Sequence, residues 1–324
     1  MVVHARNEGD LLLEAVQELI DVCMAAGCPL HLSHLKVAGR RNWEKGPALV
    51  ALMEHARDRG LDISFDQYPY TAGSTYLHAA LPPWATEGGV DRILERLRDP
   101  ATRSLIAQHI ETMVGPDRPT SDPTLRAWDN FVGAAGWDGV RVTAVADERL
   151  KHCEGRTLAE LAEEAGRPPA DFLFDLLVED SCRCSMAVEI SSEENVRLFL
   201  SHPLGTVGSD GLLIGKPHPR AYGTFPRILG KYARDERVLS LPEAVRRMTS
   251  AAARRLGLPD RGLLKPGMKA DVVIFDPERV ADLATFAEPR QFPTGIDSVW
   301  VNGVPAVEGG RLTGLRAGRV LKRR

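Results

Sequence analysis

Three side chains in this sequence have the type and placement for metal-assisted or acid–base chemistry: His4, His34 and Asp210. Each lies at or near the C-terminal end of a run that reads as a β-strand. In barrels of alternating strands and helices, that end is where active sites sit. Neutral imidazole is a good zinc ligand, and a carboxylate beside a metal can take a proton from the attacking water. Taken singly, each residue also has an ordinary structural reading. A strand-end histidine is commonly a satisfied polar group, and Ser209-Asp210-Gly211 is a turn-forming sequence.

Cationic and phenolic groups accompany them. Lys36 lies two residues after His34, and Arg220 follows His218-Pro219 in the stretch after Asp210. Both cations have the charge to grip a carboxylate. Tyr68 and Tyr70 flank Pro69 and can donate phenolic hydrogen bonds. Surface charge and aromatic packing are the alternative reading of these four. The cysteines are expected to be neither ligands nor nucleophiles, because Cys182-x-Cys184 is not a zinc-knuckle spacing and Cys23 falls on an apolar helix face. The sequence contains no GxSxG, P-loop or GxGxxG motif.

The elements that must position these residues alternate. A strand at Val2–Arg6 precedes a helix capped by Asp10 and running to about Ala26, with Gly27 as its stop. A second strand over Pro29–Leu35, a helix over Trp43–Arg59 and a third strand over Leu61–Phe65 follow, an order that calls for right-handed crossovers and a parallel sheet. The middle reads less regularly. It has helical character from Val90 to Gly115, interrupted at Asp99-Pro100, and strands near Gly139–Ala146 and Ser185–Ile190. Thr157-x-x-Glu160, Ser191-x-x-Glu194 and Ser240-x-x-Glu243 each match a capping box. From Gly262 onward, short strands between Gly and Pro turns predict a small antiparallel β module, with a boundary near Leu258–Gly262.

Composition bounds the function. Lysine plus arginine total 41 against 44 aspartate plus glutamate in 324 residues, a formal charge of −3. With 44% hydrophobic and 26% charged residues the chain reads as globular, without the polybasic character of a nucleic-acid binder. No apolar run approaches the ~18–20 residues of a membrane helix, and Met1-Val2-Val3-His4-Ala5-Arg6 does not read as a signal peptide. Five cysteines, an odd and low count, read as reduced thiols in a cytoplasmic protein.

Several segments in order carry a resemblance. They are His4-Ala5-Arg6-Asn7-Glu8-Gly9-Asp10, Ser33-His34-Leu35-Lys36, Asp66-Gln67-Tyr68-Pro69-Tyr70-Thr71-Ala72-Gly73-Ser74-Thr75, Gly208-Ser209-Asp210-Gly211 and His218-Pro219-Arg220-Ala221-Tyr222-Gly223-Thr224-Phe225-Pro226. Toward the end come Arg261-Gly262, Pro266-Gly267, Ala270-Asp271 and Val299-Trp300-Val301-Asn302-Gly303. Together they resemble the N-acyl-D-amino-acid deacylase (D-aminoacylase) family of the amidohydrolase superfamily, over nearly the whole chain.

The resemblance implies an α/β fold: the C-terminal half, strands 5–8, of a metal-dependent (β/α)8 TIM barrel over residues 1–258, plus part of a small β-sandwich over residues 259–324. It implies zinc-dependent hydrolysis of the amide bond of N-acyl-D-amino acids, releasing a carboxylate and a free D-amino acid. The complete family site holds one or two Zn2+ ions. His4 and His34 would be zinc ligands and Asp210 the general acid/base. Lys36, Tyr68, Tyr70 and Arg220 match the region that holds the substrate's α-carboxylate. The implied partner is a small molecule, with no nucleic acid and no membrane.

The chain also departs from the family pattern. It has no His-x-His pair, which the family carries on its first barrel strand, and it starts at what looks like strand five. A truncated gene model, a split enzyme completed by another chain and a degenerate remnant are the three expectations. Open sheet edges predict self-association or a missing N-terminal half as partner. Two histidines and one aspartate predict weak metal binding and little turnover for the chain alone. The competing readings are a dihydroorotase- or hydantoinase-like enzyme acting on cyclic amides, and a non-catalytic interaction module.

Overall fold

The first strand, β1 (Val2–Val3), pairs in parallel with β2 (Leu30–Leu32), Val2 opposite His31 and Val3 opposite Leu32. The Ser33 amide donates to Val3 O and the Leu30 amide to Asp62 O, extending the ladder on both sides of β2. The helix Leu12–Ala26 connects β1 to β2. It buries Leu12, Ala15, Val16, Ile20 and Cys23, the spacing of one helical face. Gly27 ends it in the left-handed conformation (φ 62°), with its own amide and that of Cys28 turned back onto the last carbonyls. Asp10 does not cap this helix, contrary to expectation. Asn7 Oδ1 accepts the Gly9 and Leu11 amides, while the Asp10 carboxylate accepts from Arg41 and Asn42.

The computed structural model describes residues 1–112 and 127–321; the 113–115 end of the helical stretch expected from Val90 lies outside them. The chain divides into two compact units. The first comprises Met1–Ile63, Tyr70–Leu198 and Leu212–His218, and the second Ser64–Pro69, Phe199–Gly211 and Pro219–Arg324.

In the first unit, the crossover from β2 runs through a 3₁₀ turn (Arg40–Lys45) and the helix Gly46–Asp58. Beyond Tyr70 an antiparallel sheet appears, with β4 (Ala72–Tyr76), β6 (Ser185–Glu189) and β5 (Val140–Ala144) in that order. Helices Val90–Arg98, Pro100–Thr112, Leu158–Glu164 and Pro169–Glu179 belong to this part. Their apolar faces meet the sheet in one core that includes Leu97, Ile106, Leu158, Phe174 and Met186. The capping box at Thr157 and Glu160 is formed on both sides. At the next helix, Glu193–Ser201, the hydroxyl that accepts the Asn195 amide is that of Ser192, one residue later than expected.

In the second unit, Phe65, Asp66 and Gln67 of β3 (Ile63–Gln67), which enters the unit at Ser64, pair in parallel with β7 (Gly205–Val207). Helix Arg220–Arg227 follows and runs into a π-helical stretch, Ile228–Asp235. The unit ends in a four-stranded antiparallel sheet of β8 (Val272–Phe275), β9 (Ile296–Val301), β10 (Val304–Glu308) and β11 (Arg311–Leu312), ordered β11-β10-β9-β8. Among the described residues, no helix is long and apolar enough to cross a membrane.

Candidate functional site

Within the first unit, the turns that follow β1 and β2 bring His4 and His34 together. His4 Nδ1 stands 3.0 Å from His34 Nε2. The chain turns sharply at His34, which takes φ 39°, a left-handed backbone uncommon outside glycine. That turn lays Lys36 alongside His34. The Lys36 ammonium is 2.6 Å from Glu8 Oε1 and 2.8 Å from His34 Nδ1, and Glu8 Oε1 is also 3.2 Å from His34 Nδ1.

The Lys36 and Glu8 side chains are each about as buried as core residues, at 8% exposure. Burial by itself raises the Glu8 carboxyl. The Lys36 ammonium and the hydrogen bond with His34 outweigh it and hold the carboxyl down at about 2. Glu8 is therefore a buried, ionised carboxylate within reach of two imidazoles.

This donor set fits a zinc ion. Two nitrogens at about 2.0–2.1 Å from one tetrahedral ion stand roughly 3.3 Å apart, close to the 3.0 Å between the two imidazoles. One ligand atom each from His4, Glu8 and His34 lies within 4.8 Å of the others. Proton bookkeeping assigns Glu8 a second task. When Lys36 donates to His34 Nδ1, His34 carries its proton on Nε2. When Nε2 serves as a ligand, the proton moves to Nδ1, and Glu8 Oε1 is the acceptor that favours that tautomer.

Glu8 is held from behind. Its backbone amide donates to Asp129 Oδ2 at 2.9 Å, and Asn7 Nδ2 donates to Ala127 O at 3.2 Å. Burial raises the Asp129 carboxyl to about 7, although the Glu8 amide donates to it and the Lys36 ammonium lies nearby. Neither Glu8 nor Asp129 stands out in the sequence. Glu8 sits in a polar turn, and Asp129 lies more than a hundred residues away from it. Tyr70 packs its ring edge-on against His218, 5.2 Å between centroids, and His218 Nε2 lies 3.1 Å from Ala72 O.

The second unit carries Asp210, Arg220 and Tyr68 as one cluster. Asp210 follows β7 with φ 47°, again left-handed. Arg220 Nη2 donates to Asp210 Oδ2 at 2.8 Å, and the guanidinium lies over the Tyr68 ring, 4.5 Å from its centroid. Of the expected site residues, His4, His34 and Lys36 thus meet in one cluster, and Asp210, Arg220 and Tyr68 in another. Burial and the nearby Asp180 carboxylate push the Cys182 thiol up to about 11 and raise Cys184 as well, so both stay protonated.

A family model described as "Amidohydrolase family" matches residues 2–307. The chain is 34% identical over 321 residues to a D-aminoacylase of Alcaligenes xylosoxydans xylosoxydans, covering 99% of this chain and 54% of that protein. It superposes on a crystal structure of D-aminoacylase with a TM-score of 0.75 at 32% identity, covering 99% of this chain and 56% of that one. A third similar protein is an N-acyl-D-glutamate deacylase from Bordetella bronchiseptica, solved with zinc and a phosphonate inhibitor that mimics the tetrahedral intermediate of the reaction. Its TM-score is 0.71 at 31% identity, with 94% of this chain and 52% of that one covered. The chain spans about half the length of these relatives.

Proposed function

The chain belongs to the amidohydrolase family, and from that premise we propose that it carries part of a zinc-dependent hydrolase. The enzyme cleaves the amide bond of N-acyl-D-amino acids to a carboxylate and a free D-amino acid. The observation that carries this reading is the 3.0 Å approach of His4 Nδ1 and His34 Nε2 beside the buried Glu8–Lys36 pair. The relatives named as deacylases support the substrate class.

The fold proposed is the C-terminal half, strands 5–8, of a (β/α)8 barrel over residues 1–258, with residues 259–324 forming part of a β-sandwich. The parallel pairs β1/β2 and β3/β7 and the antiparallel sheet β8–β11 support it. The cytoplasm is the proposed compartment, supported by five cysteines present as free thiols.

His4 and His34 would hold the ion, and Glu8 would fix the His34 tautomer or add a carboxylate ligand. A zinc ion held there would supply Lewis-acid polarisation of the scissile carbonyl and lower the pKa of water. Asp210 takes the proton of the attacking water and returns it to the leaving amine as the C–N bond breaks. Lys36, Tyr68, Tyr70 and Arg220 belong to the region assigned to the substrate's α-carboxylate, whose fixation presents one enantiomer's amide to the reacting groups.

The test is a zinc titration of the chelator-treated chain in competition with a chromophoric chelator. An assay on N-acetyl-D-methionine, its L-enantiomer and a hydantoin follows. The expected result is weak zinc binding that His4→Ala removes, with the little hydrolysis of the chain alone confined to the D-acyl substrate. A chain that retains no zinc, or that opens the hydantoin and leaves the acyl amino acid intact, overturns the reading.

A further inference from the structure

We propose that Asp129 is a positioning residue for the metal site, holding the Glu8 backbone so that the Glu8 carboxylate meets His34. The inference rests on the metal-centre reading above and deepens it.

One oxygen of Glu8 serves two partners of unequal tolerance. Glu8 Oε1 lies 2.6 Å from the Lys36 ammonium and 3.2 Å from His34 Nδ1. The lysine stem is flexible and follows a displaced carboxylate. The shorter, stiffer imidazole does not, and 3.2 Å is already the outer edge of the N–H···O range. A retreat of Glu8 by roughly half an ångström would keep the lysine pair and lose the histidine. The contact with His34 therefore depends on where the Glu8 main chain sits.

That main chain is gripped on both sides. The Ala38 amide donates to Glu8 O at 2.7 Å, and the Glu8 amide donates to Asp129 Oδ2 at 2.9 Å. Asn7, fully buried, spends its Oδ1 on the Gly9 and Leu11 amides, which leaves the Glu8 amide to Asp129. The turn is also pressed close to the aspartate. A Cβ on Gly9 would stand 3.1 Å from Asp129 Oδ1 and 3.3 Å from Ala38 O.

Asp129 is itself anchored. Asn7 Nδ2 donates to Ala127 O at 3.2 Å, and Asn130 Nδ2 donates to Ile110 O at 3.0 Å. Asn130 Oδ1 accepts the Gly133 amide at 2.9 Å, capping the short helix Phe131–Ala135. Segment 127–130 is thus tied to the Glu8 turn on one side and to helices Pro100–Thr112 and Phe131–Ala135 on the other. Through Asp129 that support reaches the metal site from 121 residues along the chain.

The experiment uses the full chain, treated with a chelator and labelled with 15N. In the wild type, the Glu8 amide should exchange with solvent as slowly as the Ala38 amide; rapid exchange at Glu8 overturns the proposal before any variant is made. Asp129→Leu removes the acceptor, whereas Asp129→Asn keeps an oxygen for the amide. In zinc competition with a chromophoric chelator, Asp129→Leu should bind about tenfold or more weakly and Asp129→Asn within about threefold of the wild type, since lost support of a ligand histidine costs about 10–100-fold. In the zinc-free chain, Asp129→Leu should move the ring-nitrogen signals of His34 and leave those of His31, on β2, in place. A general loosening of the fold would move both and overturn the proposal. So would unchanged zinc affinity in Asp129→Leu, or an equal loss in Asp129→Asn. A wild type that takes up no zinc counts against the metal-centre reading alone. The His34 signals then decide the positioning role, and their staying unchanged in Asp129→Leu overturns it.

Discussion

His4 Nδ1 and His34 Nε2 face each other at 3.0 Å, although thirty residues of chain separate them. The pairing of β1 with β2 makes this possible. Val3 lies opposite Leu32, so the turn residues that follow each strand emerge side by side. Parallel strands place equivalent ends together, and two metal-competent side chains one strand apart then converge without any local sequence motif.

Glu8 is expected to matter twice. Glu8→Gln should weaken zinc binding by about 10–100-fold, the usual effect of losing the acceptor that orients a ligand histidine. It should also destabilise the fold by about 3–5 kcal/mol, because the buried Lys36 ammonium loses its counter-charge. Pairing it with Lys36→Met separates the effects. Denaturant unfolding should recover most of the stability, whereas chelator competition should show zinc affinity still reduced. Recovery of both would make Glu8 a purely structural partner.

Gly211→Ala should cost about 1–3 kcal/mol, since the added methyl must push against the backbone of Ala221. Turnover should fall by more than the stability loss explains, as a shift of about 1 Å in a reacting group can cost roughly 10²-fold. Thermal melts and rates on one preparation check this. A variant with lowered stability and unchanged rate would show that the turn tolerates the methyl without moving Asp210.

Part of the acid sensitivity should trace to Glu243. Hydrogen bonds from Arg246, and then Arg247, hold its carboxyl at about 2 against an ordinary 4.5, with partial burial opposing them. A depressed folded-state pKa stabilises the protein fully above the unfolded value, and the contribution disappears as pH falls through about 2. Glu243→Gln should therefore lower Tm at neutral pH and converge with the wild type near pH 2. Melting curves collected between pH 7 and pH 2 measure the gap, and a pH-independent gap would assign the effect to packing of Arg247 instead.

The sequence was most legible where periodicity and strand ends carry the signal. The helix Leu12–Ala26, its Gly27 stop, the capping box at Thr157 and the terminal antiparallel strands all follow from local pattern. Histidines after the first two strands were visible for the same reason. Glu8 was not, because an acidic residue in a polar turn carries the same signature whether it faces solvent or an ammonium. Asp10 had the right type and place for a helix cap, yet Asn7 reaches the Leu11 amide first and leaves Asp10 to Arg41 and Asn42. Strand β4, Ala72-Gly73-Ser74-Thr75-Tyr76, escaped because its small and polar residues lack apolar alternation; its partner β6 supplies the reason to be extended. The contact of Asp129 with Glu8 is tertiary and has no local trace.

The left-handed turns at His34 and Asp210 restrict what evolution can do at these two positions. Asparagine and glycine occupy that backbone cheaply, and β-branched residues resist it. A descendant that abandoned the chemistry but kept the fold would drift at both places toward Asn or Gly. Such replacements would be a recognisable scar of lost activity, whereas Val or Ile there would signal that the turns themselves had been rebuilt.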